Sequence, residues 1–196
     1  MSDQVTVEEV AEAMYKQVAA AQGQKKLKPG DLSKMMIEMF GEDRVDKKLS
    51  KKAIKLLNKI MELELAGVVR YTHYSLMIFG YNRIPIVGWM KSNAEEGLVH
   101  AHRAGEMVTL LGGHPSLKIG SLLETEKHDI GDILRESLEH EQAALDAYYD
   151  LLKLAEGGKL VLLEEYAREM IVEEELHLDE VNKMLRKPGD VEAFKP

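Results

Sequence analysis

The stretch Val172–Val181, VEEELHLDEV, places Glu174 and His177 three residues apart in a segment of helical periodicity. Three acids in a row suit a solvated helix surface. Yet the apolar stripe through Met170, Val181 and Met184 also passes through Glu174 and His177. A lone Glu-x-x-His arises readily by chance in so glutamate-rich a chain, but the spacing around it is repeated. Glu64 is followed by Tyr71 and Glu141 by Tyr148, each seven residues on, while Glu64–His100 and Glu141–His177 are both separated by 36 residues. Two halves of the chain thus follow one Glu–Tyr–Glu–His plan, which predicts a site with pseudo-two-fold symmetry.

The elements that must position these residues are helices. Four long helical segments follow residue 50, each about 40 Å long at about 1.5 Å per residue. The first has Ser50 as candidate N-cap and runs to Gly80. The second opens near Pro85 and ends at Gly112-Gly113. The third spans about 128 to the Gly157-Gly158 stop, and the fourth about 160–187, closed by Pro188-Gly189. Short links make helices one and two, and three and four, antiparallel neighbours. The segment GGHPSLKIGSLLETEK is long enough to cross the whole bundle. The expected fold is all-α, an up-down-down-up four-helix bundle with one long crossover.

Core positions spaced every three or four residues run through Leu57, Ile60, Glu64, Val68 and Tyr71 on the first helix. They run through Trp89, Asn93, Glu96, His100, Arg103, Met107 and Leu110 on the second. The third contributes Leu134, Leu138, Glu141, Leu145, Tyr148 and Leu152; the fourth, Leu163, Met170, Glu174, His177, Val181 and Met184. Each helix thus carries one carboxylate in its seam, and two add an imidazole. A buried unpaired carboxylate costs several kcal/mol, so four in one core require compensation. Two divalent cations would balance Glu64, Glu96, Glu141 and Glu174, with His100 and His177 completing the donor set. Tyr71 and Tyr148 have three readings: hydrogen bonds to those carboxylates, electron transfer, or simple core packing. His102, His114 and His140 fall off the stripe and are expected in solvent.

The totals narrow the alternatives. The 196 residues are 45% hydrophobic and 31% charged, as in a globular protein with a sizeable core. The absence of cysteine excludes disulfides, thiolate-held metal centres and cysteine catalysis. The acidic MSDQVTVEEV start is no signal peptide, and no run approaches a membrane span, so a cytoplasmic protein with no membrane partner is expected. A net charge of −8 argues against a nucleic-acid surface. Basic residues concentrate at 44–59, which reads as a solvated helix start. The expected organisation is a helical N-terminal extension over 1–49, the bundle over 50–188 and a C-terminal tail over 189–196.

The segments LNKIMELELAGVVRY (57–71), HAHRAGEMVTLLGGHPSL (100–117), DILRESLEHEQAALD (132–146) and EEELH (173–177) resemble the ferritin-like superfamily, and bacterioferritins most closely. The resemblance implies a di-iron centre of two Fe ions per subunit, or a mixed Fe/Mn pair. Glu64, His100, Glu141, Glu174 and His177 each match a family ligand. It implies terminal carboxylates from helices one and three and bridging ones from the Glu–His motifs. Two positions depart from the family. The first Glu-x-x-His would need Glu at 97, where the chain has Gly97. A π-bulge would bring Glu96 into that place, with Glu95 as the alternative. Leu98 stands where bacterioferritins carry the haem methionine, which argues against haem. The activity implied is ferroxidase, Fe²⁺ to Fe³⁺ with O₂ or H₂O₂, in a homo-oligomer serving iron storage or detoxification. Two alternatives are a rubrerythrin-like peroxidase, whose family carries a Cys₄ iron domain absent here, and a DNA-protecting mini-ferritin, whose iron site usually lies between subunits.

Overall fold

The computed structural model describes residues 47–122, 125–126 and 128–195. Of the expected helical N-terminal extension over 1–49, residues 1–46 lie outside the described ones. The described residues contain four α-helices and no strand: α1 Lys47–Met77, α2 Arg83–Leu110, α3 Ile130–Gly158 and α4 Val161–Leu185. α1 packs on α2 and α3, and α3 packs on α4. The links at 78–82 and 159–160 are short, as antiparallel pairing requires. No described helix is long and apolar enough to cross a membrane.

The crossover after α2 runs along α1. Asn58 Nδ2 donates to His114 O at 3.2 Å and Asn58 Oδ1 accepts from Ser116 N at 2.7 Å. Further on, Gly120 N donates to Glu62 O at 2.6 Å. Nearer the start of α3, Thr125 Oγ1 and Tyr74 OH both bond to the carboxylate of Glu136. The chain therefore returns to the opposite end of the bundle before α3 begins. This makes the fold an up-down-down-up bundle of ferritin-like topology.

Helix ends differ in detail from the sequence expectation. α1 already includes Ser50, which is therefore not its cap. Asp129 caps α3 by accepting from Gly131 N at 2.9 Å. Gly157 and Gly158 do not stop α3; they form its last turn, and Lys159 takes the left-handed position at φ 55°. Gly158 serves packing instead, because a Cβ there would overlap the Leu49 side chain. Leu110 and Met184, at the ends of their stripes, are exposed.

The apolar core has two parts. One gathers Leu57, Ile60, Leu151, Leu163 and Met170; the other Tyr71, Tyr74, Ile78, Met90 and Ile133. Along α1 the interval between them holds Glu64, and along α3 it holds Glu141. Full burial of each such aliphatic side chain contributes about 1.5–3 kcal/mol. Two apolar layers on either side hold one polar layer in place.

Candidate metal centre

That polar layer receives Glu64 from α1, His100 from α2, Glu141 from α3, and Glu174 and His177 from α4. The three glutamates and His100 are buried, while the His177 side chain is 19% exposed. Their donor atoms form two groups, Glu64–His100–Glu174 and Glu141–Glu174–His177, each with all atoms within 4.8 Å of one another. Glu174 belongs to both. Its Oε1 lies 3.0 Å from His100 Nδ1, and its Oε2 lies 4.0 Å from His177 Nδ1. His100 Nδ1 is also 3.6 Å from Glu64 Oε2. The two imidazole rings face each other at 6.2 Å with an 18° tilt.

The tyrosines hold these carboxylates crosswise. Tyr71 of α1 donates to Glu141 Oε1 of α3 at 2.5 Å, and Tyr148 of α3 donates to Glu64 Oε1 of α1 at 2.8 Å. Each tyrosine is backed by an aromatic ring edge-on, Trp89 at 5.8 Å and Tyr166 at 6.1 Å. Burial and the neighbouring carboxylate charge raise the pKa of both phenols, so they remain donors. Each fixes one carboxylate oxygen and leaves the other for the centre.

Burial raises the Glu64 carboxyl, and burial followed by the Glu174 charge raises Glu141 to about 7. Burial raises Glu174 as well. Burial alone would lower His100, but hydrogen bonding to Glu174 and Glu64 prevails and lifts it to about 10. Without cations, a protonated His100 offsets part of the negative charge.

Glu96 sits at the rim, outside the two inner groups but in a third group with His100 and Glu173, whose donor atoms also lie within 4.8 Å of one another. Its side chain is 42% exposed and its Oε2 is 3.2 Å from His177 Nε2. The matching contact is Glu173 Oε2 to His100 Nε2 at 3.0 Å. Each imidazole thus turns Nδ1 toward Glu174 and Nε2 toward a rim carboxylate. The fallback residue, Glu95, is exposed. α2 is α-helical throughout Arg83–Leu110, so no π-bulge turns Glu96 inward.

The sequence pattern also missed Glu173 and misplaced His140. Arg103 reaches the rim on Glu173 at 3.5 Å and Glu169 at 2.6 Å. His102 and His114 are exposed as expected, but His140 is buried. Burial, then the nearby Arg70 charge, push its pKa down to about 4, so its ring is neutral. Gly67 admits that ring: a Cβ on Gly67 would stand 2.9 Å from His140 Nε2. Gly67→Val is therefore expected to cost about 1–3 kcal/mol through overpacking, read as a Tm several degrees lower by calorimetry. An unchanged Tm would mean that α1 and α3 separate freely here.

The arrangement fits a pair of cations. Glu174 Oε1 is buried and makes no well-aligned hydrogen bond, although His100 Nδ1 is 3.0 Å away. A cation between them would serve the unpartnered Glu174 oxygen and take the place of the His100 proton. The donor set of carboxylate oxygens and imidazole nitrogens suits iron and other first-row ions.

The ferritin-like domain family model matches residues 54–189, and the chain belongs to this family. Its fold is the one found in solved diiron-carboxylate structures. A ferritin-like diiron-carboxylate protein from Bacillus anthracis is 21% identical with a TM-score of 0.68, covering 72% of this chain and 100% of its own. Desulfovibrio desulfuricans bacterioferritin, described with its diiron site in different catalytic states, is 26% identical with a TM-score of 0.62. That match covers 70% of this chain and 80% of the bacterioferritin. Rhodobacter capsulatus bacterioferritin, described with a metal-free dinuclear site and heme iron, is 20% identical with a TM-score of 0.64. It covers 69% of this chain and 84% of its own. No curated protein matches the chain.

Proposed function

We propose that the protein is a ferroxidase, taking Fe²⁺ as substrate and O₂ or H₂O₂ as oxidant, in iron storage or detoxification. The observation that carries this reading is the position of Glu174, one buried carboxylate shared by two donor groups. A shared carboxylate can hold two Fe²⁺ side by side, so that a two-electron oxidant receives one electron from each. Glu64 and His100 would hold one ion, and Glu141 and His177 the other. Tyr71 and Tyr148 would act as positioning residues that keep the two terminal carboxylates from turning away. The apolar layers on either side exclude bulk water. Likeness to a bacterioferritin with a diiron site supports iron over other metals. The reading includes a homo-oligomer in the cytoplasm and no haem, because position 98 is leucine.

The test is to load the protein anaerobically with Fe²⁺ and mix it rapidly with O₂ or with H₂O₂. Wild type should oxidise two Fe²⁺ per chain in a fast phase. His177→Ala should fall to the rate of free Fe²⁺ with its helical circular dichroism intact. A wild-type rate in that variant would overturn the assignment. Light scattering of the same sample separates a hollow storage shell from a small redox oligomer.

A further inference from the structure

The internal repeat makes the role of Gly97 specific. A shift of 77 residues takes Glu64 to Glu141, Tyr71 to Tyr148, His100 to His177 and Glu96 to Glu173. The aromatic backings obey it too, since Trp89 maps to Tyr166. The structure keeps this symmetry: the tyrosines bond crosswise, and the two rim glutamates each meet the other half's imidazole. The same shift takes Gly97 to Glu174. The one carboxylate shared by both donor groups therefore has no counterpart on α2. Its place is held by a residue without a side chain.

Position 97 nevertheless faces the centre. Gly97 lines the same cavity of about 20 Å³ as Glu64, His100, Glu141, Glu174 and His177. A Cβ built on it would lie 3.8 Å from Glu64 Oε2 and no nearer than 3.5 Å to any neighbour. A side chain there is sterically allowed and would start beside the donors. The charge account has the same gap. The buried Glu64, Glu141 and Glu174 bring three negative charges against four from two dications, and the next carboxylates, Glu96 and Glu173, stand at the partly exposed rim on the imidazole Nε2 atoms.

We infer that Gly97 leaves one face of the cation pair open to an exogenous small carboxylate, which takes the position that Glu174 takes on the opposite face. The inference rests on the di-metal reading above. A monoanion with two oxygens restores both the missing donor atoms and the charge balance. The cavity is about 20 Å³ and the cations share it, so only a guest no bulkier than formate is admitted. Formate itself or the carboxylate end of a slim substrate has this chemistry.

Cobalt(II) serves as a redox-quiet probe whose visible absorption reports its coordination. Wild type should bind two Co²⁺ per chain, and formate should then change the absorption saturably, whereas benzoate should not. Gly97→Glu should bind both Co²⁺ at least tenfold more tightly and lose the formate response. Gly97→Ala, whose Cβ has room, should keep that response. If two Co²⁺ bind but wild type is silent to formate, or Gly97→Glu responds as wild type does, the inference is overturned. Silence to formate combined with loss of one Co²⁺ in Glu96→Gln would show that Glu96 swings inward and fills the face instead. Failure of wild type to bind two Co²⁺ would remove the di-metal reading itself, a separate result visible by equilibrium dialysis before formate is added.

Discussion

Replacing Glu174 by glutamine is expected to abolish paired cation binding while leaving the metal-free bundle at least about as stable as wild type. The two effects have different origins. For binding, Glu174 is, among the described residues, the one donor that belongs to both inner groups, so its loss removes an anionic donor from each. Changes in outer-shell partners alone typically cost about 10–100-fold in metal affinity, so a shared inner donor should cost more than about 100-fold. For stability, burial already raises the pKa of this carboxyl, which means the fold works against its charge. A neutral amide of the same shape relieves that cost. His100 loses one neighbour but keeps Glu64 at 3.6 Å and Glu173 at 3.0 Å. Dialysis with metal analysis and calorimetry of the same preparation check both halves. Retention of two tightly bound cations would rule out Glu174 as the shared donor. A large loss of metal-free stability would show instead that its charge holds the bundle together.

The helices and their order were legible because the apolar period and the link lengths depend on local chain geometry. Glu64, Glu141 and Glu174 were legible because a carboxylate inside an apolar stripe is costly, and costly residues stand out. Glu173 was not, since it sits beside Glu174 within a run of acids that reads as solvent surface. Only the packing of α4 against α2 turns it to His100. Glu96 shows a limit of periodicity, because positions three and four before His100 share nearly one helix face. An unbroken α-helix turns Gly97 to the cavity and leaves Glu96 at the rim, 3.2 Å from His177 Nε2. His140 was expected in water because it lies one residue off the stripe. Its burial depends on a close approach of α1 and α3, for which the only sequence signal was a glycine at 67. For Glu173 and His140 the local pattern was read correctly, and contact with another helix decided the outcome.

Cation binding is expected to stabilise the bundle strongly near pH 8 and little near pH 5, with the sign set by the buried carboxyls. In the metal-free protein Glu141 titrates at about 7, above the usual 4.5. Between those values the folded chain holds a proton that the unfolded chain has shed. Its contribution is therefore fully present below 4.5 and lost as the pH rises through 7, a loss on the order of 3 kcal/mol. Glu64 and Glu174 shift in the same direction. His100, raised to about 10, adds a contribution present below 6.5 that fades as the pH rises further. The metal-free bundle should thus weaken toward alkaline pH. Cations reverse this trend because they bind the deprotonated carboxylates and displace the His100 proton, so protons compete with them at low pH. A cation at about 100 times its Kd adds about 2.7 kcal/mol, worth roughly 5–10 °C in Tm for a domain of this size. Melting curves with and without Mn²⁺ at about pH 5, 6.5 and 8 should show a difference that widens with pH. A constant difference would mean that the cation binds away from the buried carboxylates, because surface carboxylates with ordinary pKa values are already ionised across most of that range.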